Sequence, residues 1–102
     1  MEMYSSDKLL LVLRQQQMRY ALPAENVEEV ITSPSVTVLP RQPEYLKGIL
    51  NYKGHMIPVL SLQALCGSGE QGNETVCVIL RMEDGLYGLL ADNAETIVTD
   101  SG

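Results

Sequence analysis

The chain has no phenylalanine and no tryptophan, and among its 102 residues there are one histidine and two cysteines. Without Phe or Trp, a recognition surface has to be built from aliphatic side chains, tyrosine and charge. The single histidine, His55, cannot complete a tetrahedral metal site with Cys66 and Cys77. Those cysteines stand eleven positions apart with no C-x-x-C pairing, the usage of reduced thiols in a cytosolic core. Basic residues are also scarce. Seven Lys and Arg against 13 Asp and Glu leave a net charge of −6, which argues against a nucleic-acid backbone or an anionic membrane as main partner. The longest apolar run near the N-terminus, Leu9 to Leu13, is five residues, far short of a membrane span. Glu2 and Asp7 occupy positions where a signal peptide needs positive charge, so a cytoplasmic protein is expected.

What is present, 45% hydrophobic and 20% charged residues, is the composition of a soluble globular chain, and the length suits one domain over residues 1–102. Leu9–Leu13 reads as a strand, and Met18, Tyr20 and Leu22 alternate along a second one, with polar Arg14–Gln17 as the turn. Pro23 ends that strand and suits the first turn of a short helix over Ala24–Ile31. Such a helix would put Val27, Val30 and Ile31 inside and Glu25, Glu28 and Glu29 outside. A loop, Thr32–Ser35, precedes a short strand at Val36–Val38, and Leu39-Pro40 and Pro43 then interrupt regular structure. Gly67–Glu74 is polar and glycine-rich, a surface loop. Thr75–Met82 and Leu86–Ala91 are strands around Asp84-Gly85, a good hairpin signal. Strands joined by short turns, with two abbreviated helices, indicate an all-β barrel architecture.

The densest information lies in Tyr45–Leu65. Lys47–Tyr52 and His55–Leu62 read as a hairpin closed by Lys53-Gly54, where Gly54 supplies the positive φ a tight turn needs. Ile49, Met56, Ile57, Val59, Leu60 and Leu62 make both faces apolar and predict burial on both sides. Pro58 cannot donate to a ladder and belongs at a bulge, a sheet edge or a strand end. Ser61 can cap a helical turn over Leu62–Cys66, which Gly67 stops.

Catalytic candidates are few. His55 follows a turn glycine and has no nucleophile placed beside it by a recognisable motif, so it reads as a turn or rim residue. Asp92 beside Asn93 is a turn former hydrogen-bonded to its own backbone rather than an acid–base pair. Neither G-x-x-x-x-G-K-[ST] nor G-x-G-x-x-G occurs, which removes support for phosphate cradling. No enzyme and no cofactor is expected. Lys53, at the hairpin tip, reads on charge alone as a solvated side chain.

The arrangement Pro43-x4-Gly48-x2-Asn51-x-Lys53-Gly54-x3-Pro58-Val59-x2-Leu62 resembles the CheW-like domain, the adaptor module of bacterial chemotaxis. The Tyr20-Ala21-Leu22-Pro23 opening, the Leu39-Pro40-x-x-Pro43 connection and the segment Asp92–Val98 are similar to that family too. The resemblance implies two small SH3-like barrels with short helices, and an adaptor that couples a chemoreceptor tip to the regulatory domain of a CheA-type histidine kinase. It implies partner contact at Lys53, where the family usually has Arg, and at Val27 and Glu29, with core packing the alternative for Val27. Gly48, Asn51, Gly54 and Pro58 become turn and motif residues supporting that surface. Ser61 stands where the family commonly has Asp, and both can accept a hydrogen bond as an N-cap.

The resemblance also implies a further hairpin and helix beyond the position of Gly102, so the second barrel is expected to be incomplete. An apolar face among Val76, Val78, Leu80, Leu89 and Ile97 should then lie open and favour a homodimer or strand-exchanged oligomer. The alternative is that Thr96–Gly102 folds back and closes the sheet. Of the rival functions, a small-ligand-binding β-barrel sensor would need a cavity with convergent polar groups, and a small hydrolase would need His55 as base.

Overall fold

The computed structural model describes residues 7–66 and 74–100. Eight strands run in chain order: β1 (Asp7–Gln15), β2 (Met18–Pro23), β3 (Val27–Thr32), β4 (Leu46–Tyr52), β5 (His55–Ser61), β6 (Val76–Met82), β7 (Gly85–Ala91) and β8 (Asn93–Asp100). A 3-10 turn, Ala24–Asn26, joins β2 to β3, and α1 (Leu62–Cys66) follows β5. One sheet has the order β2-β1-β8 and the other β3-β6-β7-β5-β4, with β5–β7 the parallel pair. The all-β expectation holds, as two β subdomains.

Alternation along β6 explains why there are two cores. Val76 and Val78 point into a cluster with Leu11, Leu13, Leu62, Leu89 and Ala91, between the two sheets. Cys77 and Ile79 point the other way, into a cluster with Leu50, Tyr52, Ile57, Val59 and Leu90, enclosed by the five-stranded sheet itself. Because both faces of β6 are covered, its sequence is a continuous apolar run rather than an alternating one.

Several expectations need correction. The segment Ala24–Ile31 is not a helix: only Ala24–Asn26 turn, and Val27 begins a strand. Its ladder with β6 is bulged between Val27 and Glu29, so Val27 faces the first core while Ile31 faces the second. Val30 is exposed. The open apolar face is not found either: Val76, Val78 and Leu89 are buried, and Leu80 packs against the first core. The backbone of β8 pairs with β1, from Asn93 opposite Arg14 to Asp100 opposite Asp7, in the three-stranded sheet and not beside β6 and β7, so the closing alternative is not met in the form expected. The side chain of Ile97 and most of the Gly67–Glu74 loop lie outside the described residues. The central hairpin is buried on one face, by Leu50, Tyr52, Ile57 and Val59, but Met56 on the other is 63% exposed.

Val36–Val38 makes no strand, only a bridge in which Thr37 and Ile49 exchange both backbone hydrogen bonds at 2.9 Å. Asp92 does more than turn its own backbone. Its carboxylate accepts from Gln16 N at 2.9 Å and Glu74 N at 3.1 Å, tying the β1–β2 turn to the start of β6.

Candidate functional site

The hairpin β4–β5 closes with two residues, Lys53 and Gly54, at φ 50° and 85°. Two consecutive positive φ values are the requirement of a type I′ turn, whose twist matches that of the strands. Asn51 Oδ1 accepts from Gly54 N at 3.0 Å and fixes the turn from the side. Further down β4, Gly48 has φ 155°, and a Cβ there would stand 2.0 Å from the Thr37 carbonyl oxygen. Glycine at this position is what lets the 34–40 connection lie against the sheet edge.

Pro58 lies within β5, opposite Ile49. Ladder alternation from the Tyr52–His55 closing pair makes Ile49–Pro58 a non-hydrogen-bonded pair, so the missing N–H costs nothing on the β4 side. On the other side, the β5–β7 ladder begins only at Val59, so β5 is locally an edge at Pro58. Ser61 Oγ accepts from Ala64 N at 3.2 Å, capping α1 as expected, and also donates to Glu74 Oε2.

In sheet order, β3 and β4 are opposite edges of the five-stranded sheet, yet their side chains meet. The Tyr52 hydroxyl donates to Glu29 Oε1 at 2.7 Å, and Lys53 Nζ lies 3.8 Å from the same oxygen. Lys53 Nζ also sits 5.2 Å from the centre of the Tyr52 ring. The sheet is therefore curled into a barrel, and Glu29, Tyr52 and Lys53 form the clasp across its seam. Tyr52 is buried, while the side chains of Lys53 and Glu29 are 70% and 45% exposed. The clasp thus has an inner half that holds the barrel and an outer half that faces solvent.

Its electrostatics follow from that geometry. The hydrogen bond to Glu29, followed by loss of water, pushes the Tyr52 hydroxyl above its ordinary pKa. The Tyr52 oxygen, and next the Glu29 charge, hold the Lys53 ammonium above its usual range. Beside the clasp, Arg81 Nη2 pairs with Glu28 Oε1 at 3.0 Å and Nη1 donates to the Glu25 carbonyl at 3.2 Å.

Of the residues singled out for partner contact, the structure brings Glu29 and Lys53 together and leaves Val27 half-buried against the first core. Tyr52 was missed. Its signal was available: the aromatic residue of β4, next to the tip charge, in a chain with only five tyrosines. His55 is exposed at the start of β5. Among the described residues, no group of three His, Cys, Asp or Glu side chains could hold a metal ion, and no helix is long and apolar enough to cross a membrane. Cys77 is a buried free thiol whose pKa burial pushes up to about 11.

Comparison with known proteins agrees with this fold. The CheW-like domain family model matches residues 9–100. The chemotaxis protein CheW of Helicobacter pylori is 29% identical over 75 residues, covering 72% of this chain and 46% of that protein. Protein FrzA of Myxococcus xanthus is 38% identical over 53 residues, covering 52% of this chain and 33% of its own length. The chain therefore spans between a third and a half of these relatives. Among solved structures, the scaffolding protein TtCheW from Thermoanaerobacter tengcongensis superposes with a TM-score of 0.83 at 31% identity, over 91% of this chain and 66% of that one. With a matched family model over nearly its whole length and the same fold, this chain belongs to the CheW-like domain family.

Proposed function

We propose that the protein is a non-catalytic cytoplasmic adaptor that couples a chemoreceptor to a CheA-type histidine kinase. The observation that carries this reading is the clasp: an exposed acid and an exposed base held in fixed relation on a family fold whose other members include chemotaxis proteins. An adaptor works by geometry. Two partners bound to separate surfaces of one stiff β scaffold hold a defined relative position, and no bond is made or broken. Glu29 and Lys53 are the partner contacts in this reading, with Val27 anchoring β3 beneath them. Gly48, Asn51, Gly54 and Pro58 shape the hairpin that presents Lys53.

Titrating a receptor-tip peptide and the kinase regulatory domain separately, both from the same genome, tests the coupling. Binding by either at modest affinity is expected, and binding by neither would sink the adaptor reading. Self-association loses its motive once Val76, Val78 and Leu89 are covered, so we expect sedimentation equilibrium to give the 11.3 kDa monomer across a wide concentration range. A mass that doubles with concentration would restore the homodimer or strand-exchanged oligomer.

A further inference from the structure

The five-stranded sheet is split at one end. β5 and β7 pair in parallel only over Val59–Ser61 and Gly88–Leu90, although both strands extend further, back to His55 and Gly85. Pro58 explains where the ladder stops. In the parallel register, with Val59 opposite Gly88, the next rung would be a bond from the N–H of residue 58 to the Leu86 carbonyl, and proline has no N–H. Beyond that point the strands separate, and a cleft of about 480 Å³ opens, lined by His55, Met56, Pro58, Asp84, Leu86 and Tyr87.

The walls of this cleft are two strand edges. His55 and Ile57 bond toward β4, and Gly85 and Tyr87 toward β6, as two-residue hairpin ladders require. The backbone N–H and C=O of Met56 and Leu86 therefore point into the cleft, beyond the last rung shared by β5 and β7. Met56 is exposed and Leu86 and Tyr87 are half-buried, so the side-chain surface beside these polar groups is largely apolar. The charged group at the mouth is Asp84, whose carboxylate accepts from the Tyr87 hydroxyl at 2.7 Å and keeps its other oxygen. His55 stands on the opposite wall, at the start of β5.

We propose that this cleft is a docking site for a short extended peptide segment of a partner protein, with adjacent aliphatic residues and a Lys or Arg placed to meet Asp84. An added strand supplies the rungs that Pro58 denies to β7, which is the chemistry of recognition by strand addition. An aliphatic side chain packs on Met56 at the outer face and its neighbour on Leu86 at the second-core face, and charge complementarity in a chain of net charge −6 selects a basic residue. The site lies between β5 and β7, whereas the clasp is built by Glu29 of β3, Tyr52 of β4 and Lys53 of the β4–β5 turn, so this proposal is tested apart from the adaptor reading.

Selection from a random heptapeptide library on the full chain tests it without using receptor or kinase. Enriched peptides should carry adjacent aliphatic residues with a Lys or Arg and shift the Met56 and Leu86 amide resonances. Met56→Lys, at an exposed position, should weaken them at least tenfold, and Asp84→Lys should do the same by reversing the charge at the mouth. The proposal is overturned if no sequence is enriched, if enriched sequences are acidic, or if both variants bind them as the wild type does.

Discussion

Two hairpins of this molecule have loops of the same length but different turns and different reach. β4–β5 turns on Lys53-Gly54 and β6–β7 on Glu83-Asp84, each with two residues between paired strands. At the second, the tip acid Asp84 is bonded by Tyr87 of its own hairpin, three positions away. At the first, the tip base and its neighbouring tyrosine both reach Glu29, on a strand at the far edge of the sheet. The second tip can be perturbed at little cost to anything but itself. The first joins the barrel seam to the surface, so a change at Tyr52 reaches the seam while one at Lys53 alters the exposed charge.

Glycine substitutions should show the largest contrast. Gly48→Ala places a Cβ 2.0 Å from the Thr37 carbonyl oxygen, and that atom is backbone and cannot swing away. The Thr37–Ile49 bridge must break, or β4 must shift; we expect a loss of about 3 kcal/mol or more in urea unfolding. Gly85→Ala, at φ 136° but with nothing within 4 Å of the new Cβ, carries only backbone strain, about 1–3 kcal/mol. Equal losses would mean that the 34–40 connection is not held as described.

The tyrosines come next. Tyr52→Phe keeps the buried ring and removes the hydroxyl bond across the seam, a loss of about 1 kcal/mol. Tyr87→Phe removes a bond at an exposed tip and should stay within about 0.5 kcal/mol. The pH dependence sharpens this. The Tyr52 proton is held more tightly in the folded chain than in the unfolded one, so its contribution is complete below the ordinary tyrosine value of 10.0. It is lost as pH rises through the higher folded value. Glu29→Gln should lower that titration, followed by tyrosinate absorbance, and Asp84→Asn should lower only that of Tyr87.

How much of this was legible can be traced residue by residue. The β4–β5 hairpin, its turn, and the Ser61 cap on Leu62–Cys66 were readable, because each rests on local chemistry: positive φ, a side-chain oxygen, a terminal turn. The helix expected over Ala24–Ile31 failed because a bulge can imitate helical spacing. Val27, Val30 and Ile31 fall at i, i+3 and i+4, but the bulge at Val27–Glu29 moves Val27 to the other face of a strand. Three β-branched residues in that stretch were the contrary signal. Glu29 and Lys53 were picked out through family resemblance, since their meeting depends on barrel closure 24 residues apart in sequence, which no local pattern records. For the same reason Tyr52, whose role exists only once the seam closes, went unnoticed.

The most direct test of the clasp, with a small expected effect on stability, is charge reversal at the tip. Lys53→Glu puts a second carboxylate beside Glu29, where now an ammonium lies at 3.8 Å. Both side chains are largely in water, so the pair is screened and its loss should change the melting temperature little, within about 1 kcal/mol of stability. Buried Tyr52 keeps its hydroxyl bond, so the seam stays closed. Partner binding is different, because a fixed charge of the wrong sign opposes the encounter at short range. We expect binding of the cognate receptor tip or kinase domain to fall by tenfold or more in titration, and the double variant Glu29→Lys with Lys53→Glu to regain the fold's ion pair but not the affinity. Unchanged binding by Lys53→Glu would reduce Lys53 to a solvated tip residue, and recovery in the double variant would show that the pair matters for its internal contact alone.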